Sequence, residues 1–487
     1  MNKQFYLSVW RWHFFAGLYV VPFILMLSLT GLLMLVSPWI DAWQYGDDLI
    51  QVEVPVESVS VGKISADVQL AKVKLAYPHL TAAQYIPPIN SEQSSIFKMR
   101  GDNFATLLVF VNPYSGEVLG DFDGADRWYS IADDIHGTLM IGQIGDALIE
   151  LSAGLMIFLL LSGLYLHWPR NGANVKAMLL PLFLLPHNLR ILFNREKTSR
   201  SIWKEIHSSL GFYLTLFILF FALTGMAWTG IWGQQLVQPY GSFPLEKKAS
   251  AWRSDITHSN LNDGQLNEMP WNLEQVPLPK STVSNSSTPN STTPNHANLS
   301  SVSSNRVVGL EQIVEQGLQL GFQLSEGNRF RIALPLDPVG VYTLMSIASS
   351  HDVINPMGDR TLHIDQYSSE VLADIRWQDY NLGAKAMALG IALHKGTLGL
   401  WNIVLASIVC LLLILLSVSG IILWWRRKPK GEMAAPAAGA LEQISASAKA
   451  LVLITILLGL CFPVTGAVMV VFALYECRFL YKKQAAI

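Results

Sequence analysis

His13-Phe-Phe-Ala-Gly17-Leu-Tyr19, followed by Leu29-Thr30-Gly31, decides the reading of this chain, because it is written twice. The second copy is His207-Ser-Ser-Leu-Gly211-Phe-Tyr213, then Leu223-Thr224-Gly225, with the offset from histidine to glycine unchanged. Self-similarity at a fixed offset marks a repeated structural unit. The rest of the unit repeats too. Tyr114-Ser-Gly-Glu-Val-Leu-Gly-Asp121 matches Tyr367-Ser-Ser-Glu-Val-Leu-Ala-Asp374, and His136-Gly-Thr-Leu matches His394-Lys-Gly-Thr-Leu. Each leads into an apolar helix ending Leu161-Ser162-Gly163 or Val418-Ser419-Gly420. The matches keep one order, so the chain reads as a tandem duplication of a helix–domain–helix unit.

Composition places these helices in a bilayer. The chain is 51% hydrophobic and 14% charged, where a soluble protein carries roughly a quarter charged residues. Five runs reach the roughly 20 apolar residues that span a membrane: Phe14–Val36, Ala147–Leu166, Leu210–Trp232, Ile403–Trp425 and Leu451–Leu474. The first run is too long for a signal peptide, and Ser37-Pro38-Trp39 replaces a small-residue cleavage site. Lys3 and Arg11, the basic stretch from Arg170 to Lys204, and Arg426 to Lys430 flank the runs on one side. Basic short loops stay cytoplasmic, so the N-terminus is expected inside. A fifth spanning helix then leaves Arg478, Lys482 and Lys483 outside, against that rule. A net charge of −2 gives no basic face for nucleic acid.

The expected fold is an all-α membrane bundle of four duplicated core helices plus a fifth, with two extracytoplasmic α+β domains. Helices are expected over about 1–40, 136–169, 207–234, 391–427 and 448–475. The two domains fall at about 41–135 and 235–390, the cytoplasmic loops at about 170–206 and 428–447, and a tail at 476–487. The first domain predicts a helix at Ala66–Ala76, a strand at Ala105–Val111 and, at Asn112–Gly116, a turn between two strands. The second predicts a helix at Leu310–Leu320 and strands near Phe330–Leu334, Tyr342–Ser346 and Thr361–Ile364. Residues 281–305, rich in Ser, Thr, Asn and Pro, read as a disordered insert. Met178–Leu185 reads as an interfacial segment. Cys410, Cys461 and Cys477 sit in or beside apolar helices and imply packing, not disulfides.

The eleven histidines divide in two. His79, His258, His296, His351 and His363 lie in polar segments and read as surface residues. His13, His207, His136, His394, His167 and His187 lie at helix ends, where an ionisable group costly to bury reads as functional or as an interfacial residue bonded to headgroups or a helix end. About a pseudo-twofold axis, His13 would meet His207 inside and His136 would meet His394 outside. Two opposed imidazoles suit a six-coordinate haem iron in a helix bundle. Gly17, Gly211, Gly137 and Gly396 would leave room for the macrocycle or, equally, serve helix packing. A bare zinc or copper ion would want further ligands nearby. His167 breaks the symmetry, since Trp424 is its counterpart; it is an alternative ligand or a contact for a propionate or donor. His187 has no counterpart and reads as structural. Arg11, Lys204, Arg127 and Lys395 flank the sites as propionate partners or as snorkelling side chains.

These motifs, Trp12-His13 with Thr30-Gly31, His207 with Thr224-Gly225, the Tyr114–Asp121 hairpin, His136-Gly-Thr-Leu with Ser162-Gly163, and His394, resemble the PepSY-associated transmembrane family. The resemblance covers roughly residues 1–430. It implies a bacterial inner-membrane protein with PepSY-like periplasmic domains and two b haems, similar to siderophore-iron reductases. Electrons would come from a cytoplasmic reductant or a quinol, because no nucleotide-binding fingerprint is present, and would pass to a ferric siderophore or other ferric chelate. The competing readings are a non-enzymatic PepSY-domain anchor or peptidase regulator, and a metal-ion transporter, which would want more polar residues at mid-helix depth.

Overall fold

A computed structural model describes residues 3–55, 62–101, 106–167, 199–241, 254–262, 269–281, 307–427, 436 and 446–485. The expected interfacial segment with His187, the insert beyond Ser281 with His296, and most of the loop after Arg427 lie outside the described residues. In chain order the first elements are α1 (Lys3–Tyr45), α2 (Ala66–Ala76), β1 (Thr81–Ile86), β2 (Ser95–Arg100), β3 (Thr106–Val111), β4 (Val118–Asp123), α3 (Trp128–Thr138) and α4 (Gln143–His167). Next come α5 (Ser199–Tyr213), α6 (Thr215–Met226), a π-helix (Gly230–Val237), α7 (Leu310–Gln319), β5 (Arg331–Ala333), β6 (Val341–Ser346), β7 (Arg360–Asp365) and β8 (Val371–Arg376). The chain closes with α8 (Leu382–Lys395), α9 (Leu400–Arg427), α10 (Ala446–Cys461) and α11 (Pro463–Ala485). Two compact units result: a helical one (Met1–Leu33, Ala132–Val237, Val404–Ile487) and a sheet-bearing one (Met34–Ile131, Gln238–Ile403).

In the helical unit, Phe5–Tyr45, Gln143–His167 and Leu400–Arg427 are each long and apolar enough to cross a membrane. α1 continues through Pro38, which has no N–H for the Met34 carbonyl. Ser37 Oγ donates to that carbonyl instead, at 2.8 Å. Val20 and Ile24 of α1, Leu151 and Leu155 of α4, Ile218 of α6, and Val409 and Leu413 of α9 meet with Leu214 in one apolar layer.

Two expected spans differ from their sequence reading. The third is a broken pair, Arg200–Tyr213 and Thr215–Met226, bent by 57°. Thr215 Oγ1 donates back to the Gly211 carbonyl at 2.8 Å, and a Gly beside a back-bonding Thr is a known place for a helix to bend. The fifth is not one helix. Pro463 disfavours helical backbone at the residue before it, and the chain reverses between α10 and α11. A Cβ on Gly466 would lie 2.2 Å from the Gly459 carbonyl oxygen, although seven residues of straight helix span about 10 Å. Val452 packs near Phe5 and Val9, while Phe472 meets Phe15 at 5.6 Å. Both arms of the hairpin therefore run toward the N-terminal end of α1.

The sheet-bearing unit also departs from expectation. Instead of two separate domains, it holds one antiparallel sheet in the order β4-β3-β2-β1-β5-β6-β7-β8. β1 and β5 join the halves through Gln84↔Ala333 and Tyr85↔Ile332. β4 is the strand expected after the Asn112–Gly116 turn, whereas β1 and β2 carry no comparable signal in the sequence. Residues alternate across the sheet: Phe97, Met99, Ile332, Leu344 and Ile364 face α2 and α7, while Ala333 and Met345 face Met269. The two helices cap one another. Asp67 of α2 accepts from the Leu310 and Glu311 amides, and Glu311 of α7 accepts from the Ala66 amide at 2.5 Å. Each carboxylate thus satisfies orphan donors at the other helix's N-terminus. Each half has the same turn: Asn112 Oδ1 accepts from Tyr114 and Ser115, as Asp365 Oδ1 does from Tyr367 and Ser368.

Candidate functional site

The repeated Ser-Gly and Thr-Gly pairs hold the membrane histidines. His13, on α1, lies against α4, with Nδ1 2.8 Å from Ser162 Oγ. His207, on α5, lies against α9, with Nδ1 2.9 Å from Ser419 Oγ and 3.2 Å from the Leu416 carbonyl. His136, on α3, lies against α1, with Nδ1 2.9 Å from Thr30 Oγ1.

These contacts determine where the ring protons sit. A hydroxyl has one proton to donate. Ser162 Oγ gives it to the Phe158 carbonyl at 2.8 Å, Ser419 Oγ to Leu416 at 2.6 Å, and Thr30 Oγ1 to Met26 at 2.9 Å. Each hydroxyl can then only accept from its histidine, so Nδ1 carries the proton and Nε2 presents a lone pair. That is the tautomer of a metal-ligating imidazole whose other nitrogen is fixed by a partner. Nε2 of His13 and of His207 makes no hydrogen bond among the described residues, and the two rings lie within electrostatic reach of one another.

The glycines divide by what surrounds them. A Cβ on Gly137 would meet nothing within 4 Å, and on Gly17 or Gly211 only a leucine methyl at 3.9 or 4.0 Å. Gly154 is different: there a Cβ would come within 2.0 Å of Thr465 Oγ1 on the hairpin. Gly154 is a close helix contact, whereas Gly17, Gly211 and Gly137 are not. Gly163 and Gly420 let the His13 and His207 rings approach, with Cε1 3.3 Å from an added Cβ in both cases. Gly396 instead ends α8 in the left-handed conformation, φ +76°, against Leu35.

His394 occupies the last turn of α8 in the sheet-bearing unit, followed by Lys395, whose Nζ lies 5.7 Å from the Tyr129 ring centroid. His167 ends α4 with its ring 5.6 Å from Phe212 and within electrostatic reach of Lys204. It sits about 7 Å further along α4 than Ser162, the partner of His13. Arg11 donates to the Pro436 carbonyl at 2.8 Å and lies over Phe15, and Arg127 is bridged to Asp41. Among the described residues, no three His, Cys, Asp or Glu side chains converge.

Three groups escaped the sequence reading. Ser162, Ser419 and Thr30 mark the repeat in the sequence, which does not reveal them as partners of histidines. Glu150 is fully buried in α4; its Oε2 accepts from the Trp232 and Ile231 amides at 3.0 and 3.3 Å, while Asp146 Oδ2 accepts from Gly230 at 2.9 Å. The two carboxylates hold the start of the π-helix. His258 and His363, read as surface residues, are fully buried with Nε2 atoms 3.0 Å apart. Strand alternation places His363 inward, beside Thr343 on β6. No curated protein matches this chain. A family model does, over residues 10–427, which takes in all four histidines of the expected pairs, and the chain belongs to that family, the PepSY-associated TM region.

Proposed function

We propose that this is a di-haem b transmembrane electron-transfer protein that delivers electrons to a ferric chelate, such as a ferric siderophore, outside a bacterial inner membrane. The observation that carries this reading is the shared state of His13 and His207: Nδ1–H held by a hydroxyl, Nε2 left to ligate. His13 and His207 would hold one haem, and His136 and His394 the other. Thr30, which binds His136, is seventeen residues beyond His13, so the two levels lie about 25 Å apart along α1. The Val20–Leu413 layer fills the intervening bundle and excludes water from it.

Haem supplies a reversible one-electron carrier. The chain's own part is to fix each ring's tautomer, shield the route and present charge at its ends. Delivery of an electron to ferric iron releases it, because hard oxygen donors hold ferrous iron weakly. The hairpin supports an inside N-terminus: by turning back it carries Arg478 to the same end as Arg11, in keeping with the placement of basic residues. A haem-loaded preparation should show a reducible Soret and α-band spectrum with about two haems per chain. A colourless protein from haem-replete cells would sink the proposal.

A further inference from the structure

Gly163 and Gly420 each follow a serine that holds a histidine, and both lie within helices, α4 and α9. Neither has the positive φ that would call for glycine, and glycine weakens a helix relative to alanine. What the two glycines supply is room for a ring. A Cβ added to Gly163 would lie 3.3 Å from Cε1 and 3.9 Å from Nδ1 of His13. One added to Gly420 would lie 3.3 Å and 3.7 Å from the same atoms of His207. Carbon atoms attract at about 3.5–4.0 Å, so either ring would have to shift. Close helix packing, a common use of glycine in membranes, has a different signature. At Gly154 and Gly466 the nearest atoms belong to the Thr465 side chain and the Gly459 backbone.

We infer that Gly163 and Gly420 are positioning residues, which fix the planes of the His13 and His207 rings and so the direction of each Nε2. The inference rests on the haem reading for what Nε2 meets, and adds how its angle of approach is set. Rotation of an imidazole about Cβ–Cγ is soft, and one bond at Nδ1 leaves the ring free to swing about that point. A ligating group has to be held within about 10–20° of its productive geometry. Ser162 and Ser419 hold Nδ1 at 2.8 and 2.9 Å, and the bare backbone one residue on takes up Cε1, the atom next to Nε2. The clearance is 3.3 Å in both copies, so the two rings are seated alike. Thr30-Gly31 repeats the pairing more loosely, with an added Cβ 3.8 Å from His136 Cε1.

Gly163→Ala and Gly420→Ala test this in the full-length protein. Nitrogen-15 NMR of the haem-free form reads the Nδ1–H bond directly. The His13 signals should move in Gly163→Ala and the His207 signals in Gly420→Ala. In the loaded protein, the low-spin ferric EPR signal of the haem on His13 and His207 depends on the angle between the two ligand planes. It should shift in both variants, and haem release to an apo-acceptor should quicken about tenfold, the lower end for a disturbed partner of a ligand. Gly31→Ala should shift the other haem's signal by less. The haem-free variants should be no less heat-stable than the parent, since alanine favours helix and an unligated ring can yield. Lower stability without haem, with unmoved ring signals, would assign the glycines to helix packing and overturn the inference. So would an unshifted EPR signal with unchanged haem release. In Ser162→Ala/Gly163→Ala the ring has lost its tether and can turn away, so the glycine substitution should cost less than it does alone. Additive losses would show that serine and glycine do not act on one ring together, and would also overturn it. If no haem binds, the electron-transfer reading fails by itself and the NMR shifts still decide the seat.

Discussion

His13 and His363 are both buried imidazoles bonded through Nδ1 to a hydroxyl, yet the two regions of the molecule use that bond in opposite ways. In the helical unit, Ser162 has given its own proton to Phe158, so His13 must donate and Nε2 is left open. In the sheet-bearing unit, the chain of donors runs through both rings. His258 Nδ1 donates to the Val276 carbonyl at 2.7 Å, so its Nε2 accepts from His363 Nε2–H at 3.0 Å. His363 Nδ1 then accepts from Thr343 Oγ1 at 3.0 Å. Every ring nitrogen of that pair is satisfied by protein. Burial is common to both rings; an unspent nitrogen is found only in the helical unit's His13.

The largest expected effect breaks this comparison if it fails. His13→Ala or His207→Ala should remove one of two haems, and His136→Ala or His394→Ala the other, as counted by the pyridine haemochrome spectrum. His258→Ala should leave both, because its ring is committed to Val276 and His363. Loss of both haems from one folded variant would mean that the pairing across the duplication is wrong.

The next effect concerns pH, and two groups in one strip oppose each other. Burial lowers His258 from 6.5 to about 4, against its bond to Val276. The unfolded strip therefore binds more protons between those values, and this group's stabilisation falls as pH drops through them. Glu274 is raised from 4.5 to about 7 by burial, against bonds from Gln238 and Asn262. It does the reverse: its folded form binds more protons, so its contribution falls as pH rises from 4.5 toward 7. The two slopes, each about 1.4 kcal/mol per pH unit at most, nearly cancel around pH 5 to 6.5. Hydrogen exchange at the His258 and Leu278 amides, which bond Val276 and Ile256, should be nearly flat with pH in the native protein. In Glu274→Gln, which keeps an acceptor for its neighbours, the strip should open more readily at pH 5 than at pH 6.5, by about 2 kcal/mol. An unchanged slope in that variant would show that the histidine pair does not titrate as its burial requires.

The contrast also shows what sequence could and could not deliver. His13, His207 and the Thr-Gly and Ser-Gly pairs were legible because a repeated helix puts equivalent residues at equal offsets, and helical spacing is local. Strands near Thr106–Val111 and Val341–Ser346 were legible from their apolar composition. What stayed hidden depends on long-range partners. Gln84 and Ala333 are far apart in sequence, and nothing in either stretch announces that two halves share one sheet. His363 looked like a surface residue because its neighbours in sequence are polar, while its neighbours in space are Thr343 and His258. Apolar content matched Leu451–Leu474 to a single span, although Pro463 and the Gly459–Gly466 contact fold it into a hairpin. The protons on Ser162 and Ser419 could not be assigned until their own helix carbonyls were seen to take them.

The smallest effects come from removing the hydroxyls, and they should register in different measurements in the two units. Thr343→Val keeps the side-chain shape and leaves His363 Nδ1 as a buried acceptor without its donor, which costs about 1–2 kcal/mol of stability. Denaturation or local hydrogen exchange should report that loss, with haem content untouched. Ser162→Ala and Ser419→Ala remove an acceptor from a ring that the proposed haem iron would still hold, so folding should change little. Loss of such a partner typically weakens ligation about 10- to 100-fold, which haem transfer to an apo-acceptor protein would measure as faster release. Among the described residues, His207 keeps the Leu416 carbonyl as a second acceptor and His13 has only Ser162, so Ser162→Ala should release haem faster than Ser419→Ala. The reverse order would mean that the carbonyl contributes nothing and that the hydroxyl alone orients the ring.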